Sequence, residues 1–132
     1  MNFLFKEEPE TYAWDTFLED KRTTWTGVRN PAAQKHLRSV KKGDRIFYYH
    51  TGNEKAVVGI AKAANNAYLD PGGDGHVVDI VPVKKLRRPV TLAEIKKDRR
   101  FAQLPLVRAP RLSVMPLDDE TFDAILKMSG TT

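Results

Sequence analysis

The 132-residue chain contains no cysteine. That removes disulfides, thiolate metal ligands and cysteine nucleophiles together, and it fits a reducing cytoplasm, the expected location. Nor does any apolar run approach the ~20 residues that carry a helix across a bilayer, so no membrane partner is expected. The opening Met-Asn-Phe-Leu-Phe-Lys-Glu-Glu-Pro turns acidic too early for a secretory signal. Histidine is scarce: His36, His50 and His76 are the full set, and no two stand at i, i+3 or i+4. A metal site would have to be assembled with Asp from separate segments, and neither a metal nor any other cofactor is expected. Ser39, Ser113 and Ser129 lack the elbow that exposes a nucleophile. Gly72-Gly73-Asp74-Gly75 matches neither a phosphate-binding loop nor a dinucleotide fingerprint and reads as a plain turn. No pattern demands catalysis, and the chain reads as a binding module.

What is present is the composition of a folded domain. Hydrophobic residues make up 41% and charged residues 30%, with Ile, Val, Leu and Phe spread throughout. This argues against disorder. The length suits one domain over residues 1–132, expected to be monomeric, and buries roughly two-thirds of the unfolded chain's surface. The net charge of +5 conceals an uneven distribution. Residues 1–20 hold Lys6 against six acids, residues 21–117 hold twenty Lys and Arg against seven acids, and from Asp118 onward Lys127 faces four. A basic middle between acidic ends fits an anionic partner such as nucleic acid, and equally an ordinary solvated surface.

Phe3-Leu4-Phe5 reads as a strand closed by Glu8-Pro9, with a short helix over 11–20. Asn30-Pro31 is a helix start, with Ala33, Leu37 and Val40 on one stripe and Gly43 as the stop. Residues 46–50 and 56–61 read as strands, as does the β-branched run Val77 to Val83, buried on both faces. Thr91-Leu92-Ala93-Glu94 forms a capping box opening a helix to about Asp98. Arg111 to Val114 reads as a short strand. Asp118 caps a final helix that turns Phe122, Ile125 and Leu126 inward and stops at Gly130. Strands in the centre with helices at the margins suit a small barrel of the α+β class, without the alternation of a doubly wound sheet.

Trp25-Thr26-Gly27-Val28-Arg29-Asn30 sets an aromatic ring, a flexible glycine, a guanidinium and an amide on one apparent loop before a helix. A flipped or single-stranded base needs a π-face for stacking, worth ~1–3 kcal/mol, and groups that read its edge. Trp25 offers the face and Asn30 the edge contact. The competing reading makes Trp25 a core residue and Asn30 only a helix cap. A capping Asn uses its carbonyl oxygen and keeps its amide donors. Tyr48, Tyr49 and Tyr68 are further wall candidates, and strand alternation sends Tyr48 and Tyr49 to opposite faces. Lys35, Arg38, Lys41 and Lys42, with Lys84, Lys85, Arg87 and Arg88, are candidate phosphate contacts.

Several of these segments together resemble the EVE domain family. They are Phe5 to Tyr12, Trp25 to Asn30, Lys42 to His50, Val58 to Ala61, Ala67 to Pro71, Arg88 to Leu92, and Arg108 with Arg111 to Val114 and Pro116. The resemblance covers nearly the whole chain in order. It implies a PUA-like β-barrel, mostly antiparallel, with several short surrounding helices, close to the YTH readers of modified RNA. It also implies recognition of a modified base, in DNA or RNA, through an aromatic-walled pocket. Carried onto matching positions, the pocket residues are Lys6, Glu8, Trp25, Gly27, Val28, Arg29, Asn30, Tyr49, His50, Arg111 and Ser113, with Tyr68 and Asp70 from the matching turn. The chain departs from the family pattern twice. Pro31-Ala32-Ala33 replaces a Tyr-Gln-Ala run, and the loop before the long strand lacks a Trp and ends in Gly75-His76. Both departures bear on which base fits.

Three readings follow: a reader of modified DNA bases, a PUA-like module on tRNA or rRNA, and a small-molecule binder or hydrolase using the same pocket. Steep salt dependence separates the first two from the third, and the 2′-hydroxyl separates DNA from RNA.

Overall fold

Strand β1, Asn2–Glu7, alternates its side chains between two buried sides: Phe3 and Phe5 enter one hydrophobic cluster and Leu4 the other. This is why the segment reads as a continuous apolar run rather than an alternating one. A computed structural model of the chain describes residues 1–73 and 75–131; Asp74, part of the expected glycine turn, lies outside them. The elements that follow are α1 (Trp14–Asp20), β2 (Thr23–Trp25), α2 (Pro31–Arg38), β3 (Arg45–His50), β4 (Ala56–Ala63) and β5 (Tyr68–Leu69). Then come β6 (His76–Thr91), α3 (Leu92–Lys97), a 3-10 turn (Arg99–Phe101), α4 (Pro105–Arg108), β7 (Val114–Leu117) and α5 (Asp119–Met128).

The strands form one mixed sheet in the order β2-β6-β4-β3-β1-β7, with β5 paired to β6 off that path. Among the described residues, only β1 and β3 are parallel, in register from Asn2 opposite Arg45 to Glu7 opposite His50. Helix α2 packs against both β7, at one end of the path, and β6, next to the other end. The curled sheet with this helix across its open side is the PUA-like half-barrel.

Register shifts between β4 and β6 and between Tyr48 and Tyr49 of β3 bend the sheet. Its concave side holds Phe3, Phe5, Ile46, Tyr48, Trp14, Phe17 and Trp25, closed by α1 and α2. The convex side holds Leu4, Phe47, Tyr49, Leu86 and Val90 against Ile95, Phe101, Leu106, Phe122 and Ile125. Burying each such large side chain contributes roughly 1.5–3 kcal/mol. Phe47 and Phe122 stack at 3.8 Å between centroids and fasten α5 to the sheet. At Gly59, in the interior of β4, the missing side chain makes room for the Trp14 ring: a Cβ there would stand 2.6 Å from two of its carbons.

Five expectations need correction. Residues 8–12 form a turn, with Thr11 and Tyr12 amides donating to the Glu8 carbonyl, so α1 starts only at Trp14. Helix α2 stops at Arg38, and Gly43 belongs to the next turn, where its φ of +89° and its bond to Ala63 O hold the chain. The strand expected to end at Val83 runs to Thr91, because β4 offers it a partner along that length. The strand expected at Arg111–Val114 is Val114–Leu117 instead, since α4 and its exit turn occupy the preceding residues. Trp25, read as part of a loop, lies on β2. The capping box at Thr91 and the helix cap at Asp118 form as expected.

Candidate functional site

The segment Thr26–Asn30 connects β2 to α2. Gly27 sits at φ +77°, a conformation that favours glycine, so the chain reverses sharply after Trp25. Val28 is buried beneath the turn, whereas Arg29 and Asn30 are exposed. Asn30 Oδ1 accepts from the Ala33 amide at 3.0 Å and so caps α2, a bond that leaves the amide donors unspent. Gln34, one turn on, fixes the loop from behind. Its Nε2 donates to Val28 O at 2.7 Å and His76 O at 3.0 Å, and its Oε1 accepts from the His76 amide at 3.0 Å. No local pattern marks Gln34, because its partners lie far off in sequence.

Two recesses border this segment. The larger, about 510 Å³, has Asn30 and Ala32 on one side and Ala109, Pro110, Arg111 and Leu112 on the other. Its walls are mainly apolar, with the Asn30 amide and the Arg111 guanidinium as their polar groups. The smaller, about 210 Å³, is bounded by Glu7, Tyr12, Trp25 and the hydroxyls of Thr11, Thr23 and Thr26. Both lie at the C-terminal end of β1. Glu7 enters the smaller, while Lys6 donates from Nζ to Pro110 O at 2.9 Å, behind the wall of the larger. Burial holds the Lys6 ammonium below its usual pKa, and the cation stands 5.6 Å from the Tyr49 ring. The Lys6 amide also donates to Ser113 O, which places Ser113 beside β1.

Trp25 is 5% exposed. Its ring lies 5.3 Å from Phe5 and 5.5 Å from Tyr48, within the aromatic cluster of the concave side. It therefore presents only an edge to the smaller recess, and its broad face is spent on the core. Tyr49 is buried on the convex side, where loss of solvent pushes its hydroxyl pKa up to about 12.

The sequence of the EVE domain family, as a family model, matches residues 1–128. The chain belongs to the EVE domain family. Over 96% of its length it is 31% identical to chicken thymocyte nuclear protein 1, spanning 68% of that protein. Its fold is similar to that of Rpa0253 from Rhodopseudomonas palustris, with a TM-score of 0.92 at 40% identity, covering 98% of this chain and 92% of the other. Human THYN1 protein, solved in complex with DNA containing 5-methylcytosine, matches with a TM-score of 0.90 at 26% identity, over 99% of this chain and 98% of that one.

In this EVE domain the remaining candidates are dispersed. His50 is buried, takes the Trp14 amide on Nε2 at 3.0 Å and sets Nδ1 2.8 Å from Glu54. An accepting Nε2 requires the proton on Nδ1, so the imidazole is a neutral bracket between β3 and α1. It faces a separate cavity of about 200 Å³ with Trp14, Lys85 and Pro89. The Glu8 carboxylate lies against Gly52. Asp70 accepts the Gly72 amide on its side chain and makes a local turn. Tyr68 donates to Asp79 at 2.8 Å, and Thr24, Arg22 and Asn65 converge on that same carboxylate. Burial raises the Asp79 pKa, but these four donors outweigh it and bring it down to about 2.

Lys35 and Arg38 are exposed on α2, with Lys41 and Lys42 on the turn after it. Lys84, Lys85, Arg87 and Arg88 are exposed along β6. Arg88 is already engaged as a strut: it donates to both Glu94 oxygens at 2.9 Å and to Met128 O at 2.6 Å, tying β6 to α3 and α5. Among the described residues, no group of three or more His, Asp or Glu is placed to hold a metal, and no helix is long and apolar enough to cross a membrane.

Proposed function

We propose that this EVE domain binds nucleic acid without catalysis and seats one modified base in the recess between Asn30 and Arg111. The observation that carries this reading is the composition of that recess: apolar side walls, one free amide edge and one guanidinium at the N-terminal end of α2. A base presents an apolar face, a methyl group where it is methylated, and an edge of donors and acceptors. Ala32, Ala109, Pro110 and Leu112 suit the face and the methyl. Asn30 reads the edge, and Arg111, with the positive end of α2 beside it, suits the adjoining phosphate. A volume near 510 Å³ lies within the range that takes a small planar ligand. The human relative solved with 5-methylcytosine DNA favours DNA as the partner and a methylated cytosine as the first base to try.

In this proposal Trp25 supports the wall from inside, and the smaller threonine-rimmed recess accommodates the neighbouring nucleotide. Lys35 and Arg38, on the helix that begins at the recess, supply phosphate contacts farther along the strand. The protein acts as a monomer, and any downstream consequence comes from another chain.

The test is a titration of matched DNA oligonucleotides, with and without 5-methylcytosine, at two salt concentrations. Tighter binding of the methylated strand with a steep fall in affinity at the higher salt is expected, because bound cations displace counterions from the phosphates. Equal affinity for both strands would refute base recognition, and salt-independent binding would point to a small molecule instead. RNA of the same sequence distinguishes the PUA-like tRNA or rRNA reading, through the 2′-hydroxyl.

A further inference from the structure

Leu69 is 69% exposed, although it lies on an ordered strand rather than at a chain end. Single exposed leucines are common on protein surfaces, so exposure alone says little. Its mounting says more. Leu69 pairs with His76 across the β5–β6 ribbon, the Asp70 amide donates to Gly75 O at 2.9 Å, and Asp70 itself accepts from Gly72. Tyr68, directly before it, is anchored through its hydroxyl to Asp79. The leucine thus projects from a hydrogen-bonded two-strand platform.

The platform is attached to the candidate site. Gln34 holds both polar backbone groups of His76, the residue opposite Leu69, and with the same amide it holds Val28 of the Thr26–Asn30 segment. Ala32, which lines the larger recess, and Gln34 stand about 200° apart around α2. The recess and the ribbon therefore flank the helix on opposite sides, separated by roughly its width of about 10 Å.

We infer that Leu69 is an apolar wedge that enters a DNA duplex at the position left by a base extruded into the Asn30–Arg111 recess. This rests on the proposed base-binding role of that recess. Extruding a base removes its stacking partners and opens a gap between the neighbouring pairs, and an apolar side chain inserted there restores contact area and slows the base's return. A duplex needs such a wedge. A single strand, whose base is already accessible, does not.

The experiment compares wild type with Leu69→Ala on 5-methylcytosine DNA in single-stranded and duplex form, with 2-aminopurine next to the methylated base to report unstacking. Leu69→Ala should melt at the wild-type temperature and bind the methylated single strand within about two-fold of wild type. It should bind the methylated duplex about ten-fold more weakly and lose the rise in 2-aminopurine fluorescence, with Leu69→Met restoring both. Equal weakening on both forms, or an unchanged duplex affinity and fluorescence, would overturn the wedge. If wild type prefers methylated DNA while Leu69→Ala has no effect, the wedge alone falls. If wild type ignores methylation on both forms, the base-recognition reading falls and takes the wedge with it.

Discussion

Replacing Gly59 with alanine tests the packing that shapes the concave side. The new methyl would stand 2.6 Å from Cη2 and Cζ3 of Trp14 and 2.7 Å from Cε2, where carbon atoms ordinarily rest at about 3.5–4.0 Å. The indole must therefore retreat by about 1 Å, or β4 must. Trp14 has nowhere to go: it is 1% exposed, with Phe17 and Tyr48 each 5.5 Å away, and its own amide is held by His50. Overpacking of this kind costs 1–3 kcal/mol, and a trapped ring belongs at the upper end, about 3 kcal/mol. For a domain of this length that is a fall in Tm of about 10 °C. Urea unfolding followed by fluorescence should show a midpoint lower by about 1–2 M with an unchanged slope. The double-mutant cycle sharpens the test: in a Trp14→Phe background, which removes the clashing ring, Gly59→Ala should cost less than about 1 kcal/mol. An unaltered midpoint in the single variant, or the same loss in both backgrounds, would refute the steric account.

Trp25→Ala should lower stability by about 3–5 kcal/mol, because it empties a site between Phe5 and Tyr48; a variant with wild-type unfolding and selectively lost binding would return the indole to a stacking role. Asn30→Ser keeps a helix-capping oxygen but removes the amide donors, so calorimetry should find a melting point within a few degrees of wild type while affinity for methylated DNA falls about ten-fold. Arg111→Gln should weaken methylated and plain strands alike and reduce the slope of log affinity against log salt by about 1. Stability should decline at both extremes of pH. Asp79, lowered to about 2, contributes above the ordinary carboxylate pKa near 4, and its contribution is lost as pH falls through about 2. Tyr49, raised to about 12, contributes below pH 10 and is lost as pH rises through about 12. Asp79→Asn should flatten the acid limb of an unfolding-versus-pH curve, and Tyr49→Phe the alkaline limb.

Much of the architecture was legible because it is written in local chemistry. The Asn30 and Asp118 caps, the Thr91 capping box and the alternation that separates Tyr48 from Tyr49 are all decided within a few residues of chain. Elements set by distant partners were not. The second half of β6, including Arg88-Pro89, carries charged and proline residues that suggest a loop, and it stays in the sheet because β4 lies alongside. Trp25 reads as a loop aromatic until β6 pairs with β2 and draws the indole inside. The site divides in the same way. Asn30 and Arg111 line one recess, and Pro110 and Ala109 enter it through the turn that follows α4, a helix of four residues that no periodicity announces. His50, Glu8, Asp70 and Tyr68 share the resemblance yet serve as brackets and turns elsewhere in the fold.

The position of β1 has a consequence for biosynthesis. This strand is made before every other strand of the sheet but sits between β3 and β7, and its contacts with β7 join residues more than 100 positions apart, Leu4 with Met115 among them. Phe3, Leu4 and Phe5 therefore remain without their full complement of neighbours until β7 has been made. Such long loop closures slow folding and expose aggregation-prone surface meanwhile. Until β7 has emerged to pair with it, β1 is therefore the part of this sheet most in need of protection from aggregation.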